Sequence, residues 1–315
     1  MSIIEKAVNK LERKTDVNLS ESDLPAVTDV ETSSISHSRD NIIDDPRGAH
    51  HTTRASGAEA REIVNIPFER FKGLGMITPD MPRSHIAEEY RTIKRPLLMN
   101  IAGKSAAEVD NINVIMVTSA LQGEGKTFTA INLALSVAME RDKTVLFVDA
   151  DITNSTAGAL LGIKNDRQGL VDILEDKGTS IADVMLSTNL PNLRLISAGR
   201  VHDNANELLA SEAMSNLVTE LANRFSDRVI IVDTPPLLMT TEAGVLANLM
   251  GQIVMVVEAE KTSQEAVTEA LQHIGSDKIV SVLLNKSQRH HLRKYGGYGY
   301  GYGYGNKISA SSQPA

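Results

Sequence analysis

The chain has 315 residues, enough for one large domain or two small ones, and a hydrophobic fraction of 42% supplies a core. Aromatic residues make up 3% and Trp is absent, so that core is aliphatic; with no Cys, disulfides and thiolate metal sites are excluded, which fits a reducing cytoplasm. The net charge of −8 argues against nucleic acid as the main partner, and no apolar run approaches the about 20 residues that a spanning helix needs.

Residues 2–14 place Ile3, Ile4, Ala7, Val8 and Leu11 on one helical face. This is either a fraying terminal helix or a helix that docks on a partner or a membrane surface. Charges throughout MSIIEKAVNKLERK leave no apolar region of a signal peptide. The rest of residues 1–60 is polar, rich in Ser, Asp, Thr and His, and reads as disordered. Residues 61–83, with REIVNIPFERF, read as a connector with partial order.

At Ser84 the pattern changes. SHIAEEYRTIKRPLLMNIAG predicts a helix capped by Ser84, with Pro96 marking a kink or an end. Strands are expected at Val114–Thr118, Val145–Asp149, Leu193–Ser197, Val229–Asp233, Ile253–Val257 and Ile279–Leu284. Helices are expected at Thr127–Arg141, Leu170–Glu175, Glu207–Phe225, Glu242–Met250 and Ser263–Ile274. The strands are almost uniformly apolar rather than alternating, as in a parallel sheet covered on both faces. The alternation predicts one α/β domain over residues 84–287, a doubly wound and mostly parallel sheet. Residues 288–315 are basic, then Gly/Tyr-rich, then rich in Ser, Gln and Pro, and read as a flexible tail.

The chemistry concentrates after the first of these strands. Ala120-Leu-Gln-Gly123-Glu124-Gly125-Lys126-Thr127 is a phosphate loop with Ala120 in place of the first glycine. Glycines let backbone N–H groups turn toward phosphate oxygens, and the following helix adds positive potential there. The expected nucleotide set is Gly123, Glu124, Gly125, Lys126, Thr127 and Phe128. Lys126 should reach the β- and γ-phosphates and the Thr127 hydroxyl should bind Mg²⁺. TVLFVDAD puts Asp149 and Asp151, and VIIVDTPP puts Asp233, at the carboxyl ends of strands, where open α/β sheets bind ligands. Carboxylates placed there hold Mg²⁺ directly or through water.

SALQGEGKT, VLFVDAD and VIIVDTPP together resemble the Walker A, A′ and B motifs of bacterial tyrosine kinases. These are phosphate-loop autokinases of exopolysaccharide and capsule synthesis, unrelated in fold to eukaryotic protein kinases. The resemblance spans Ser84 to Lys286 and continues into the tail. EEYRTIKRPLL and TSALQGEGKTFTAINLALSVAME are especially similar to the exosortase-associated branch. It implies ATP and Mg²⁺ as cofactors, with Lys126, Asp149 and Asp151 catalytic and Asp149 the base or hydroxyl-orienting group. Thr127, Asp149 and Asp233 would serve the metal, and Asn285 would contact adenine. Glu88, Arg91 and Lys94 match the E-x-x-R-x-x-R helix that docks one subunit on the next, with Lys in place of the last Arg. At a spacing of three they are expected on one helix face. The implied assembly is a ring-like homo-oligomer, an octamer by that resemblance. The implied partners are an inner-membrane co-polymerase or chain-length protein as activator and a tyrosine phosphatase, with no nucleic acid. That places the chain in the cytoplasm, held to the inner membrane through a partner. HDNANELL keeps Asn204, Glu207, Leu208 and Leu209 of the family's P-N-P-x-E-L-L but lacks its prolines. Two other readings share these motifs. One is a MinD/ParA-type ATPase, disfavoured because Leu121, Gln122 and Gly123 offer no early lysine. The other is a nucleotide-dependent adaptor of a polysaccharide machine.

Tyr295, Tyr298, Tyr300, Tyr302 and Tyr304 are five of the six tyrosines, separated by glycines. Alone, such a tail reads as a low-complexity segment that sticks. Downstream of a phosphate loop, it reads as a set of phosphoacceptors on a flexible leash. A phenol with a pKa near 10 is a poor nucleophile, but phosphoryl transfer mostly needs positioning and charge neutralisation. The tail follows the last strand directly, which favours transfer to a neighbouring subunit. Arg289, Arg293 and Lys294 would pair with the phosphates, sit on anionic lipid, or keep the tail soluble.

Overall fold

The apolar runs pair into a single sheet. In a computed structural model, which describes residues 63–104, 108–164, 167–175, 178–200, 205–225 and 227–287, eight strands lie in the order β1-β4-β5-β3-β6-β2-β7-β8. They are β1 (Ile63–Val64), β2 (Val114–Ser119), β3 (Thr144–Asp149), β4 (Leu186–Thr188), β5 (Leu193–Ile196), β6 (Arg228–Asp233), β7 (Gln252–Glu258) and β8 (Ile279–Asn285). Every pairing is parallel except β4 with β5. The interior strands are buried on both faces, and a hydrophobic cluster covers each face, so the expected doubly wound α/β fold is what forms. β8 is the sheet edge and exposes Val282 and Leu284. The predicted helix 2–14, the polar stretch to residue 60 and the tail from residue 288 lie outside the described residues.

Three expectations are corrected. Residues 63–83 of the expected connector are built into the domain and do not merely connect to it. β1 pairs with β4, and the short helix α1 (Phe68–Gly73) buries Phe71 completely. Met76 and Ile77 are also buried, and Ile77 N–H donates to Asn132 Oδ1 at 2.7 Å. The segment lacks periodicity because Pro67, Gly73 and Gly75 break it into pieces too short to repeat. Second, of the two outcomes expected at Pro96, a kink or an end, the end is overturned: α2 (His85–Met99) runs through it, with Pro96 on the exposed side. The Ser84 cap is formed, Oγ accepting from Ala87 N–H at 3.4 Å. Third, the helix expected over Glu207–Phe225 is two, Ala205–Leu209 and Glu212–Arg224. Ser211 separates them because its hydroxyl caps the second, accepting from Met214 N–H at 3.2 Å.

Candidate active site

Three parallel strands end side by side. β6 lies between β2 and β3, and the registers pair Val117 with Asp233 and Asp149 with Asp233. The segment after β2 and the last residues of β3 and β6 therefore meet at one end of the sheet. β2 feeds a chain that crosses β6 to reach β3, while β7 lies on its other side; this reversal of direction opens the crevice. Thr234 Oγ1 donates to Val117 O at 3.1 Å and Thr118 Oγ1 to Pro235 O at 2.8 Å, tying the strand ends together.

The loop between β2 and α3 (Lys126–Ala138) needs its glycines. Gly123 and Gly125 have φ of 88° and 97°, the left-handed region that favours glycine. A Cβ on Gly125 would lie 2.2 Å from Asn285 Nδ2. No side chain caps the N-terminus of α3 at Gly125, so its first N–H groups are left to a ligand.

Lys126, Asp149, Asp151 and Asp233 are all buried beneath this loop. Lys126 Nζ contacts Asp151 Oδ2 and lies 3.4 Å from Thr127 Oγ1. Asp149 accepts from Ser155 Oγ at 2.7 Å and from Asp151 N–H at 3.2 Å. Burial pushes the Asp149 carboxyl up to about 6; the Ser155 hydroxyl pulls it back, and the neighbouring Asp151 adds to the rise. Neither oxygen of Asp233 has a hydrogen-bond partner, although both are buried. Burial pushes Asp233 up to about 7, opposed by Lys126 and reinforced by Asp149, with the Thr127 hydroxyl near enough to lower it slightly.

Two orphaned carboxylate oxygens beside a threonine hydroxyl are hard donors, and they fit Mg²⁺. The described residues hold no group of three carboxylates or histidines placed to cage a metal. A cleft of about 240 Å³ opens beside Lys126 and Asp151, walled by Thr153, Pro235 and Met239.

Not every expected residue faces this crevice. Glu124 turns its carboxylate away, into bonds with Leu121 N–H and Thr262 Oγ1. Phe128 and Asn285 line a separate groove of about 690 Å³ between α2 and β8. Asn285 Nδ2 also donates to Glu124 O at 2.8 Å, so it braces the loop from behind. Ser155 was not signalled by sequence; a hydroxyl near D-x-D has no distinguishing spacing. The docking trio also divides. Glu88 and Arg91 pair on the exposed side of α2, where Arg91 also reaches Pro82 O. Lys94 instead points inward, with Nζ 2.6 Å from both Ser136 O and Glu140 Oε1. Six residues along a helix turn a side chain about 120° from the first, so a spacing of three drifts off one face.

Fold and crevice together define a nucleotide-binding α/β protein of the phosphate-loop class. A family model described as an AAA domain matches residues 112–286. Tyrosine-protein kinase YwqD of Bacillus subtilis (strain 168) is 32% identical over 221 residues, 69% of this chain and 88% of that protein. Succinoglycan biosynthesis transport protein ExoP of Rhizobium meliloti (strain 1021) is 32% identical over 237 residues, 74% of this chain but 28% of that protein. The kinase domain of Escherichia coli tyrosine kinase ETK is similar with a TM-score of 0.58 and 26% identity, covering 78% of this chain and 95% of that one. The chain belongs to the bacterial tyrosine autokinase family, and it is a protein-tyrosine kinase. Among the described residues no helix is long and apolar enough to cross a membrane.

Proposed function

We propose that the chain transfers the γ-phosphoryl group of ATP to the tyrosines of its own tail, passing it between subunits, and so regulates exopolysaccharide synthesis or export. The observation that carries the reading is the meeting of Lys126, Asp149 and the unpartnered Asp233 under an uncapped helix N-terminus. Thr127 and Asp233 would hold Mg²⁺, with Asp149 close by; the ion, when bound, offsets charge on the phosphates. Lys126 exchanges Asp151 for phosphate oxygens and steadies the charge of the transferring group. The acceptor phenol enters the 240 Å³ cleft, its ring against Pro235 and Met239. Asp149 orients the hydroxyl and takes its proton late, a role suited to a carboxylate raised to about 6. Asn285 reaches adenine from the loop's outer side. Glu88 and Arg91 remain the surface by which one subunit meets the next.

Each phosphate adds about −1.5 to −2 charges to the tail. Phosphorylation thereby loosens the ring, a hypothesis motivated by the tyrosine density between Tyr295 and Tyr304. An inner-membrane chain-length protein is the proposed activator, and a phosphatase resets the tail.

The test is phosphopeptide mass spectrometry of purified chain after Mg·ATP, with Lys126→Met as control. Phosphate on the tail of wild type and none on the control is expected; an unmodified tail in both refutes the reading. Mixing Lys126→Met chain with chain lacking residues 288–315 tests transfer between subunits, because label on the former can only come from the latter. Light scattering that gives one mass before and after phosphorylation sinks the loosening hypothesis.

A further inference from the structure

The phosphate loop is gripped from outside by the ends of two strands that follow it in sequence by more than a hundred residues. Lys286, just past β8, donates from Nζ to Gly123 O at 2.7 Å, and Asn285 donates to Glu124 O at 2.8 Å. The Glu124 carboxylate, almost fully buried, accepts from Leu121 N–H at 2.6 Å, from Thr262 Oγ1, and from Glu258 N–H at 3.5 Å. Thr262 Oγ1 also accepts from Glu258 N–H at 3.2 Å. Glu258 Oε2 in turn holds Lys286 Nζ at 3.1 Å, and Ala259 N–H donates to Asn285 O at 2.9 Å. The network is thus closed: loop to β8, β8 to the segment after β7, and that segment back to the loop.

Peptide geometry gives this grip a consequence. The peptide unit is planar and trans, so the C=O of one residue and the N–H of the next point in opposite directions. Drawing the carbonyls of Gly123 and Glu124 toward β8 turns the N–H groups of Glu124 and Gly125 to the opposite face of the loop, toward the start of α3. Those are the donors a phosphate needs. The backbone on the gripping side is itself held in the left-handed region at two residues that are not glycine, Glu260 with φ of 64° and Lys286 with φ of 57°. Such conformations persist where surrounding contacts over-determine them.

We infer that Lys286, Thr262 and Glu258 are positioning residues: they hold the phosphate loop with its N–H groups aimed at the nucleotide and touch no substrate themselves. The inference rests on the reading of the loop as the ATP site. Removing a member leaves the chemistry intact but lets the loop relax. The loss should fall on nucleotide binding, common to ground and transition states, and leave turnover alone. The tail starts at residue 288, two positions beyond Lys286, so a residue that aims the phosphate loop stands next to the acceptor segment in sequence.

The experiment measures Mg·ADP binding by titration calorimetry, and ATP kinetics, in the full chain and in Lys286→Met, Lys286→Arg and Thr262→Val. Lys286→Met and Thr262→Val are expected to weaken Mg·ADP about tenfold, the order expected for a lost charge-assisted or buried hydrogen bond. KM for ATP should rise to match, with kcat within about twofold. Lys286→Arg, which keeps donors for both Gly123 O and Glu258, is expected to bind within about twofold of wild type. Lys286 is 46% exposed at its side chain, so its variants should fold and melt close to wild type. Unchanged Mg·ADP affinity in Lys286→Met, no recovery in Lys286→Arg, or a fall in kcat with KM unaltered each overturns the inference. Wild-type chain that binds no Mg·ADP overturns the nucleotide reading, and the inference with it. Wild type that binds while Lys286→Met binds equally well overturns the inference alone.

Discussion

Asp233→Asn should stabilise the metal-free chain while abolishing its activity. Asp233 is 1% exposed, and neither of its oxygens has a partner. Burial lifts its carboxyl from 3.8 to about 7. At about 1.4 kcal/mol for each pH unit, the ionised group opposes folding by on the order of 2–4 kcal/mol once relaxation and water entry are allowed for. The sign follows from the raised value. Below about pH 4 the carboxyl is protonated in both folded and unfolded chains and adds nothing. As pH rises toward about 7 the unfolded chain ionises first, so stability is lost across that window and stays lost above it. Asn is neutral and of the same shape, and it removes this loss. Thermal unfolding in EDTA should therefore show the variant melting several degrees above wild type at pH 8, at about 2–4 °C for each kcal/mol in a chain of this size. The gap should narrow to near zero at pH 4. Adding Mg·ADP should raise the wild type and leave the variant nearly unmoved. A variant that melts below wild type at pH 8, or a gap that does not change with pH, would show instead that Asp233 is an ordinary hydrogen-bonded carboxylate.

Asp149→Asn is expected to lower phosphoryl transfer about 10²- to 10⁴-fold while Mg·ADP affinity, by calorimetry, stays within a few fold. In wild type the transfer rate should climb as pH passes about 6, because a protonated Asp149 cannot accept the phenol proton; a profile flat through that range counts against the assignment. Phe71→Ala should destabilise the domain by about 3–5 kcal/mol in denaturant unfolding, since Phe71 is completely buried and packs edge-to-face on Phe68. A negligible change would return residues 61–83 to the status of a connector. Lys94→Met should reduce stability by about 1–3 kcal/mol by stranding Ser136 O, with no change of oligomer mass in light scattering, whereas Arg91→Ala at an exposed pair should change stability by under about 1 kcal/mol.

The parts of this molecule that sequence made legible are those set by local pattern. Six strands fell where almost uniformly apolar runs stood, and each ended within about a residue of expectation, because the interior strands of a parallel sheet are buried on both faces and carry few polar side chains. That same emergence marked the site: Asp149 and Asp233 are the first charged side chains after four apolar ones. The loop glycines were legible for a covalent reason, since Gly123 and Gly125 adopt backbone angles that side chains disfavour. Ser211 stands in plain view, but in sequence a serine that caps a new helix looks no different from one that faces solvent within a longer helix.

What sequence hid depends on which strands become neighbours. The β1–β4 pair joins residues more than a hundred positions apart through two-residue and three-residue strands, too short for any period to show. Lys94 was misplaced for a geometric reason: a motif written every three residues looks like a stripe on paper but winds about 120° around a helix in six. The grip on the phosphate loop was hidden twice over. Lys286 and Thr262 are ordinary residues at the ends of ordinary elements, and they reach Gly123 and Glu124 only because β7 and β8 stack beyond β2 in the sheet. A motif states which backbone must be able to bend around a phosphate; it does not state what bends it. In this chain that task falls to side chains whose function is set wholly by strand order, and Lys286→Met, which leaves every recognisable motif intact, is the substitution that separates the two.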